Sequence, residues 1–154
     1  MAKQKLSIDT GVQEFEINGS GVLRFNPSDP NVYNRFTAML EKVQAVENEL
    51  VEKAGRLPKE NSGAAALVLL ADADRKTKAA LQEAFGQEND FDQLLGGVNL
   101  MAVAGNGERV VTNLLDALRP IIMDGASRFY EDKANAAVAK AQANREARRA
   151  AGRK

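Results

Sequence analysis

The sequence predicts a mainly α-helical protein with a small N-terminal β-hairpin, a bundle of about four to five helices, and a C-terminal helix that extends into a basic tail. Three observations predict it. Apolar residues recur at spacings of three and four over most of the 154 residues. Strict alternation of apolar and polar residues is confined to the N-terminal region, and glycine-rich breaks separate the helical stretches. We divide the chain into one α-rich domain, residues 1–130, and an extended Ala/Arg-rich C-terminal helix and tail, residues 131–154.

The hairpin is predicted over about residues 12–25. Residues 12–17 alternate apolar and polar side chains, and residues 22–25 resume the apolar pattern. Between them lies Asn-Gly-Ser-Gly, a sequence that tolerates positive φ. Two strands are marginal by themselves, so the hairpin must lean on helices or on a partner's strands. Its free edges are a docking site in one interpretation, but we favour a hairpin that covers the core.

The first helix is predicted to begin at Pro30. Asp29 is suited to cap it, and proline is favoured at the first helical position. The helix runs for about six turns and ends near Gly55. The residues that recur at spacings of three and four along its predicted inner face are Val32, Phe36, Leu40, Val43, Glu47 and Leu50.

The second helix is predicted over residues 64–85, where a run of alanines gives high helix propensity. We interpret the charged residues between Asp72 and Lys78 as a solvated face. The predicted apolar stripe comprises Leu67, Leu70, Ala71, Leu81 and Phe85.

Residues 86–109 are rich in breaks. Gly86 ends the second helix, and Asp90 can cap a short helical turn over residues 91–95. Residues 98–104 fit either a helix or a strand, and we favour a helix because methionine and alanine are good helix formers. Gly105-Asn106-Gly107 then breaks it. A dinucleotide-binding loop would need a third glycine at Val110 and a preceding strand, so we read a turn between helices.

A core helix is predicted over residues 110–122. Pro120 lies within it, which predicts a kink or a local break in its hydrogen bonds. Gly125 is interpreted as a further joint between helices. Beyond it the chain is alanine-rich and helical in pattern, and it frays into the basic tail.

The composition excludes several classes of chemistry. The chain has no cysteine and no histidine, which removes disulfides, Cys/His zinc sites and Ser-His-Asp triads. We therefore expect no enzymatic activity, no cofactor and no metal site. No stretch approaches about 18 apolar residues, so we expect neither a signal peptide nor a membrane span, and an intracellular protein. Lysine plus arginine and aspartate plus glutamate both number 21.

The charge is nevertheless uneven. From Lys133 onward the chain has seven basic residues and one acidic residue, so the preceding part carries a net charge of −6. One interpretation of this tail is nucleic-acid binding, but the tail lacks stacking aromatics and a wider basic surface. We favour a solvated tail or one that contacts an acidic protein partner. Its basic residues are Lys140, Arg145, Arg148, Arg149, Arg153 and Lys154.

Two stretches carry a family likeness: EFEINGSGVLRFNPSDPNVYNRF, and FGQENDFDQLLGGVNLMAVAGNGERVVTNLLDALRPIIMDG. Over about residues 13–130 the chain resembles the tail assembly chaperones of long-tailed phages and prophages of Gram-positive bacteria. The likeness rests on a short hairpin motif, an amphipathic-helix motif and a segment that introduces the second half. The matching residues are Phe15, Ile17, Asn18 and Gly19, then Asp29, Val32, Tyr33 and Phe36, and then Phe85, Gly86 and Asn99.

The resemblance implies a non-enzymatic protein of the host cytoplasm. It would bind the tape measure protein, and in addition the tail-tube protein or further copies of itself, and keep the tape measure protein soluble during tail-tube assembly. The alternatives are a structural component of the tail or virion, and a small nucleic-acid-binding protein that acts through its basic tail. The expected partner contacts are Leu94, Leu95, Val98 and Met101, with Arg145, Arg148 and Arg149 in the tail.

Overall fold

The computed structural model describes residues 2–152, with only the backbone at positions 132 and 133. It confirms the predicted fold class, because the chain is mainly helical and begins with a two-stranded antiparallel hairpin. Arg153 and Lys154 of the predicted basic tail lie outside the described residues. The elements are β1 (Gln13–Ile17), β2 (Gly21–Phe25), α1 (Pro30–Gly55), α2 (Gly63–Phe85), α3 (Phe91–Leu94) and α4 (Val110–Ala151).

The hairpin forms where the alternation predicts it. Phe15 pairs with Leu23, and the neighbouring residues continue this antiparallel register. Asn18 and Gly19 adopt φ of 52° and 70°, which closes the turn with a hydrogen bond of 2.9 Å from the Ser20 amide to the Ile17 carbonyl. The hairpin packs against the helices with strand β2, and the Leu23 side chain of this strand is fully buried.

α1 and α2 pack against each other and form the centre of the core. α1 begins as predicted, with the Asp29 carboxylate accepting a hydrogen bond of 2.9 Å from the Asn31 amide. α2 contributes mostly small buried residues, which allow the two helices to approach closely. The buried residues of α2 are Ala73, Thr77, Ala80, Leu81, Ala84 and Phe85.

The predicted apolar stripe of α2 is wrong at two of its positions, whereas Leu70 packs against the core as predicted. Leu67 and Ala71 are exposed, and no residue between Gly63 and Asp72 is buried. Leu69 and Leu70 are half-buried against the core, and full burial begins only at Ala73, so the first turns of α2 are only partly covered. The spacing of apolar residues indicates which face of a helix is apolar, but it does not indicate where along the helix the core ends.

Residues 98–104 do not form the predicted helix. The carbonyl oxygens of Leu100 and Ala102 accept hydrogen bonds of 2.9 Å from the amides of Val111 and Val110, in the first turn of α4. A helix leaves its first amides without internal partners, and here this segment supplies acceptors for two of them. A single bridge between Val103 and Arg109 then closes the turn before α4.

α4 is one helix of 42 residues and does not end at Gly125, contrary to the predicted joint. Pro120 lies inside it on an exposed position, where water can hydrogen-bond the carbonyl oxygen that proline leaves unpaired. Gly125 is buried, and a Cβ built on it would lie 1.9 Å from the Pro27 carbonyl oxygen. This glycine is therefore a close contact between α4 and the loop that precedes α1.

The C-terminal part of α4 projects from the rest of the fold. Every residue from 134 to 152 is exposed. At 1.5 Å of rise per residue this helical extension is roughly 25 Å long. Whether residues 131–154 act as a separate unit stays a prediction. No helix among the described residues is long and apolar enough to cross a membrane.

Candidate functional site

The candidate site is a groove between α1, the start of α4 and the turn before α4, called here the α1–α4 groove. It consists of two adjoining depressions of about 440 and 300 Å³. Both are lined by Gln44, Glu47 and Thr112, so they form one continuous surface. The groove extends along α1 from Leu40 to Val51, which corresponds to about 16 Å at the rise of an α-helix.

The lining of the groove is mainly polar and charged, with apolar side chains at its two ends. Leu40, Val43 and Leu115 line one end and are partly or fully covered by the core. At the other end Val51 and Val103 both line the larger depression and are 63% and 69% exposed. The charged lining residues are Glu47, Glu108, Arg109, Asp116 and Arg119.

The wall that carries Val103 is held in place by a charged cluster on α2. Lys78 donates hydrogen bonds to the Asp92 carboxylate at 2.6 Å, the Asp74 carboxylate at 2.9 Å and the Val98 carbonyl oxygen at 2.8 Å. The other oxygen of Asp74 accepts a hydrogen bond of 2.8 Å from the Leu100 amide. Asp74 and Lys78 were predicted to lie on a solvated face. In the structure they instead fasten the segment after α3 to α2.

The ionisation of Lys78 follows from this setting. Its side chain is largely buried, and burial acts to lower the pKa of the amine. Hydrogen bonds to Asp92 and Asp74, with the attraction of their charges, outweigh burial and raise the pKa of Lys78 above its usual value. The amine therefore stays protonated at neutral pH and acts as a structural cation.

A second charged network links α1 and α2 on the surface. A hydrogen bond from Lys53, followed by one from Lys76, lowers the pKa of Glu49. The hydrogen bond from Lys76 likewise lowers the pKa of Asp72, and the same contacts raise the pKa of Lys76. Glu49, Asp72 and Lys76 are half-buried and Lys53 is exposed, and together they line a small depression on the surface. We interpret them as contacts that fix the two helices side by side.

The sequence-predicted contact residues are placed unequally. Leu94 and Met101 are buried in the core, so their side chains are not available to a partner in this conformation. Leu95 and Val98 are half-buried. The basic residues of the tail, in contrast, are fully exposed on the projecting part of α4: Arg145, Arg148 and Arg149.

The burial of Leu94 and Met101 has a local cause. α3 is capped by Asp90, whose carboxylate accepts from the amides of Asp92 and Gln93, and this turn directs Leu94 beneath the hairpin. There Leu94 contacts Gly21, whose added Cβ would lie 2.7 Å from a Leu94 methyl group. Partner binding by this segment stays a prediction, now restricted to the accessible edges of Leu95 and Val98.

The exposed apolar residues that sequence periodicity did not identify include Val51 and Val103 in the groove and Val68 outside it, whereas Leu67 was predicted to be buried and is exposed. These residues could be identified only by comparing the sequence pattern with the residues that the folded core covers. Among the described residues, no group of three or more acidic side chains is arranged to hold a metal ion. The groove is therefore an elongated depression with a mainly polar lining and apolar side chains at both ends. Comparison of the chain with protein-family models, with curated proteins and with solved structures gives no match.

Proposed function

We propose that this protein is a phage tail assembly chaperone, which binds the tape measure protein without catalysis and helps tail-tube assembly in the host cytoplasm. The observation that carries the proposal is the elongated α1–α4 groove, which has exposed Val51 and Val103 at one end and further apolar side chains at the other. The resemblance found in the sequence supports the choice of partner. An amphipathic helix is the element that such a groove accommodates best.

The dimensions favour a helical ligand. A groove of about 16 Å accommodates about three turns of helix, enough for apolar side chains at positions i, i+3, i+4 and i+7. Val51 and Val103 would contact these side chains, and the acidic and basic rim would pair with the polar flanks of the ligand. Binding would cover apolar surface that otherwise drives a long amphipathic helix to aggregate.

The helical extension of α4 supplies a second contact surface. Arg145, Arg148 and Arg149 follow helical spacing, so they lie on one side of the helix. In our proposal this side contacts acidic residues of the tape measure protein or of the tail-tube protein. The contact would be weakened by salt, because the arginines are exposed.

The test is co-expression of the tape measure protein with this chain or its variants. The wild type should increase the soluble fraction of the tape measure protein and co-purify with it, whereas Val51→Asp and Val103→Asp should not. Leu67→Asp is a matched control, because Leu67 is as exposed, at 68%, but lies outside the groove.

Two outcomes would overturn the proposal. If the wild type leaves the tape measure protein as insoluble as before, the chaperone role is wrong. If the groove variants perform as well as Leu67→Asp, binding occurs elsewhere. A structural tail component would be found by mass spectrometry of purified virions, from which a chaperone should be missing.

A second candidate function, nucleic-acid binding through the tail, is favoured by the exposure of Arg145, Arg148 and Arg149. It predicts a salt-dependent gel shift that is lost when residues 144–154 are deleted. Absence of any shift at low salt would exclude it.

A further inference from the structure

Residues 2–10, called here the N-terminal arm, form no helix or strand and are exposed throughout. Leu6 and Ile8 are 85% and 78% exposed, the highest values among the large apolar residues of the described chain. Two such residues at alternate positions are typical of one face of a β-strand. The arm therefore has the pattern of a strand without a sheet to join.

The base of the arm contacts the side chain of the residue that follows β2. The Asn26 amide donates a hydrogen bond of 3.0 Å to the Thr10 carbonyl oxygen, and Gly11 passes against the same side chain with φ of 74°. Asn26 directly follows β2. These contacts hold the arm beside the end of β2, and residues 2–8 have no hydrogen bond to the described part of the chain.

The two edges of the hairpin differ. On β2, the Asn89 side chain bonds both the amide and the carbonyl oxygen of Arg24, at 2.9 and 2.8 Å, and so occupies the outer edge. These groups of Arg24 therefore point away from β1. Because orientations alternate in an antiparallel ladder, the main-chain groups of Glu14 and Glu16 point away from β2. No described residue pairs with them, so the outer edge of β1 is open.

We propose that the N-terminal arm of one copy adds as a third strand to the open β1 edge of a second copy. Side-chain alternation supports this pairing. In either strand direction, a register that places Leu6 beside Phe15 also places Lys5 beside Glu14 or Glu16. The added strand thus covers half-buried apolar residues on one face and pairs opposite charges on the other.

A second copy is the occupant that the charges favour. Pairing of two β1 edges with each other would bring Glu14 opposite Glu16, which places like charges side by side. The arm carries Lys3 and Lys5 instead. Strand addition also completes a sheet that two strands alone leave marginal. The inference is independent of the α1–α4 groove.

The experiment measures the mass of the full chain by light scattering after size exclusion, over a range of concentrations. The wild type should associate, and the double variant Leu6→Asp/Ile8→Asp should weaken association by roughly tenfold or more. Val68→Asp is a control of similar exposure, at 67%, outside the arm and the edge. It should associate like the wild type.

A second variant tests the edge. Glu14→Pro removes an amide that points outward from β1, which leaves the ladder with β2 intact, and circular dichroism checks the fold. This variant retains its arm, whereas Leu6→Asp/Ile8→Asp retains its edge, so the two monomeric variants should associate with each other when mixed. Three results would each overturn the proposal. The wild type could be monomeric at all concentrations, the variants could associate like the wild type, or the mixture of the two variants could show no association.

Discussion

Gly125→Ala is expected to destabilise the protein, against the usual effect of this substitution in a helix. In an open helix interior, replacing glycine by alanine stabilises by about 1 kcal/mol. Gly125 lies inside α4, but the new Cβ would be 1.9 Å from the carbonyl oxygen and 2.4 Å from the carbonyl carbon of Pro27. Both are backbone atoms, so no side-chain rotation relieves the overlap.

The magnitude follows from these distances. A normal contact is about 3.5 Å, so Pro27 and α4 must separate by about 1.5 Å. Overpacking typically costs about 1–3 kcal/mol, and contact with backbone places this case at the upper end of that range. After subtracting the propensity gain, we expect a net loss of about 2 kcal/mol in the free energy of unfolding. For a chain of this size that lowers the Tm by about 4–8 °C.

The assay is urea unfolding followed by circular dichroism, with Gly55→Ala as the matched control. Gly55 is the last residue of α1, and a Cβ there would meet no atom within 4 Å. The control should be neutral or slightly stabilising. If Gly125→Ala were as stable as the wild type while Gly55→Ala behaved as expected, α4 would not lie against Pro27 and the reasoning would be refuted.

Three further predictions concern polar groups, each checked by urea unfolding. Asn89→Asp removes the donor for two carbonyl oxygens and should cost about 2–5 kcal/mol; a loss below about 1 kcal/mol would contradict this. Lys78→Met should cost about 3 kcal/mol at neutral pH. Because the folded pKa of Lys78 is raised, its stabilisation is fully present below the ordinary lysine pKa of about 10.4 and is lost as the pH rises through the folded pKa; the difference from wild type should therefore narrow only above about pH 10.4, and a constant difference there would count against this. In the wild type the contacts with Lys53 and Lys76 lower the pKa of Glu49, and the contacts with Lys76 lower the pKa of Asp72. The difference in the free energy of unfolding between the wild type and Lys76→Met should therefore narrow below about pH 4, where these carboxylates become protonated. A gap that stays the same down to about pH 2 would argue against this coupling.

The sequence determined the elements whose signals are local. Asn18-Gly19 closes the hairpin through two residues with positive φ, and Asp29 and Asp90 cap helices through amides two or three residues away. Each of these interactions joins near neighbours, so a short window contains both partners. The fold class and most helix bounds follow from such signals. The candidate groove does not, because α1 and α4 meet only in the folded chain.

The tertiary structure decided what depends on distant partners. Residues 98–104 have helical composition, yet Leu100 and Ala102 give their carbonyl oxygens to α4, and Asp74 holds them in place. Gly125 resembles a break, yet it is a close contact with Pro27, nearly a hundred residues earlier in the chain. Local propensity contributes about 1 kcal/mol or less per residue, whereas these contacts each contribute as much or more. The sequence pattern therefore specifies most of the helices, and packing specifies how closely they approach each other and where a groove remains between them.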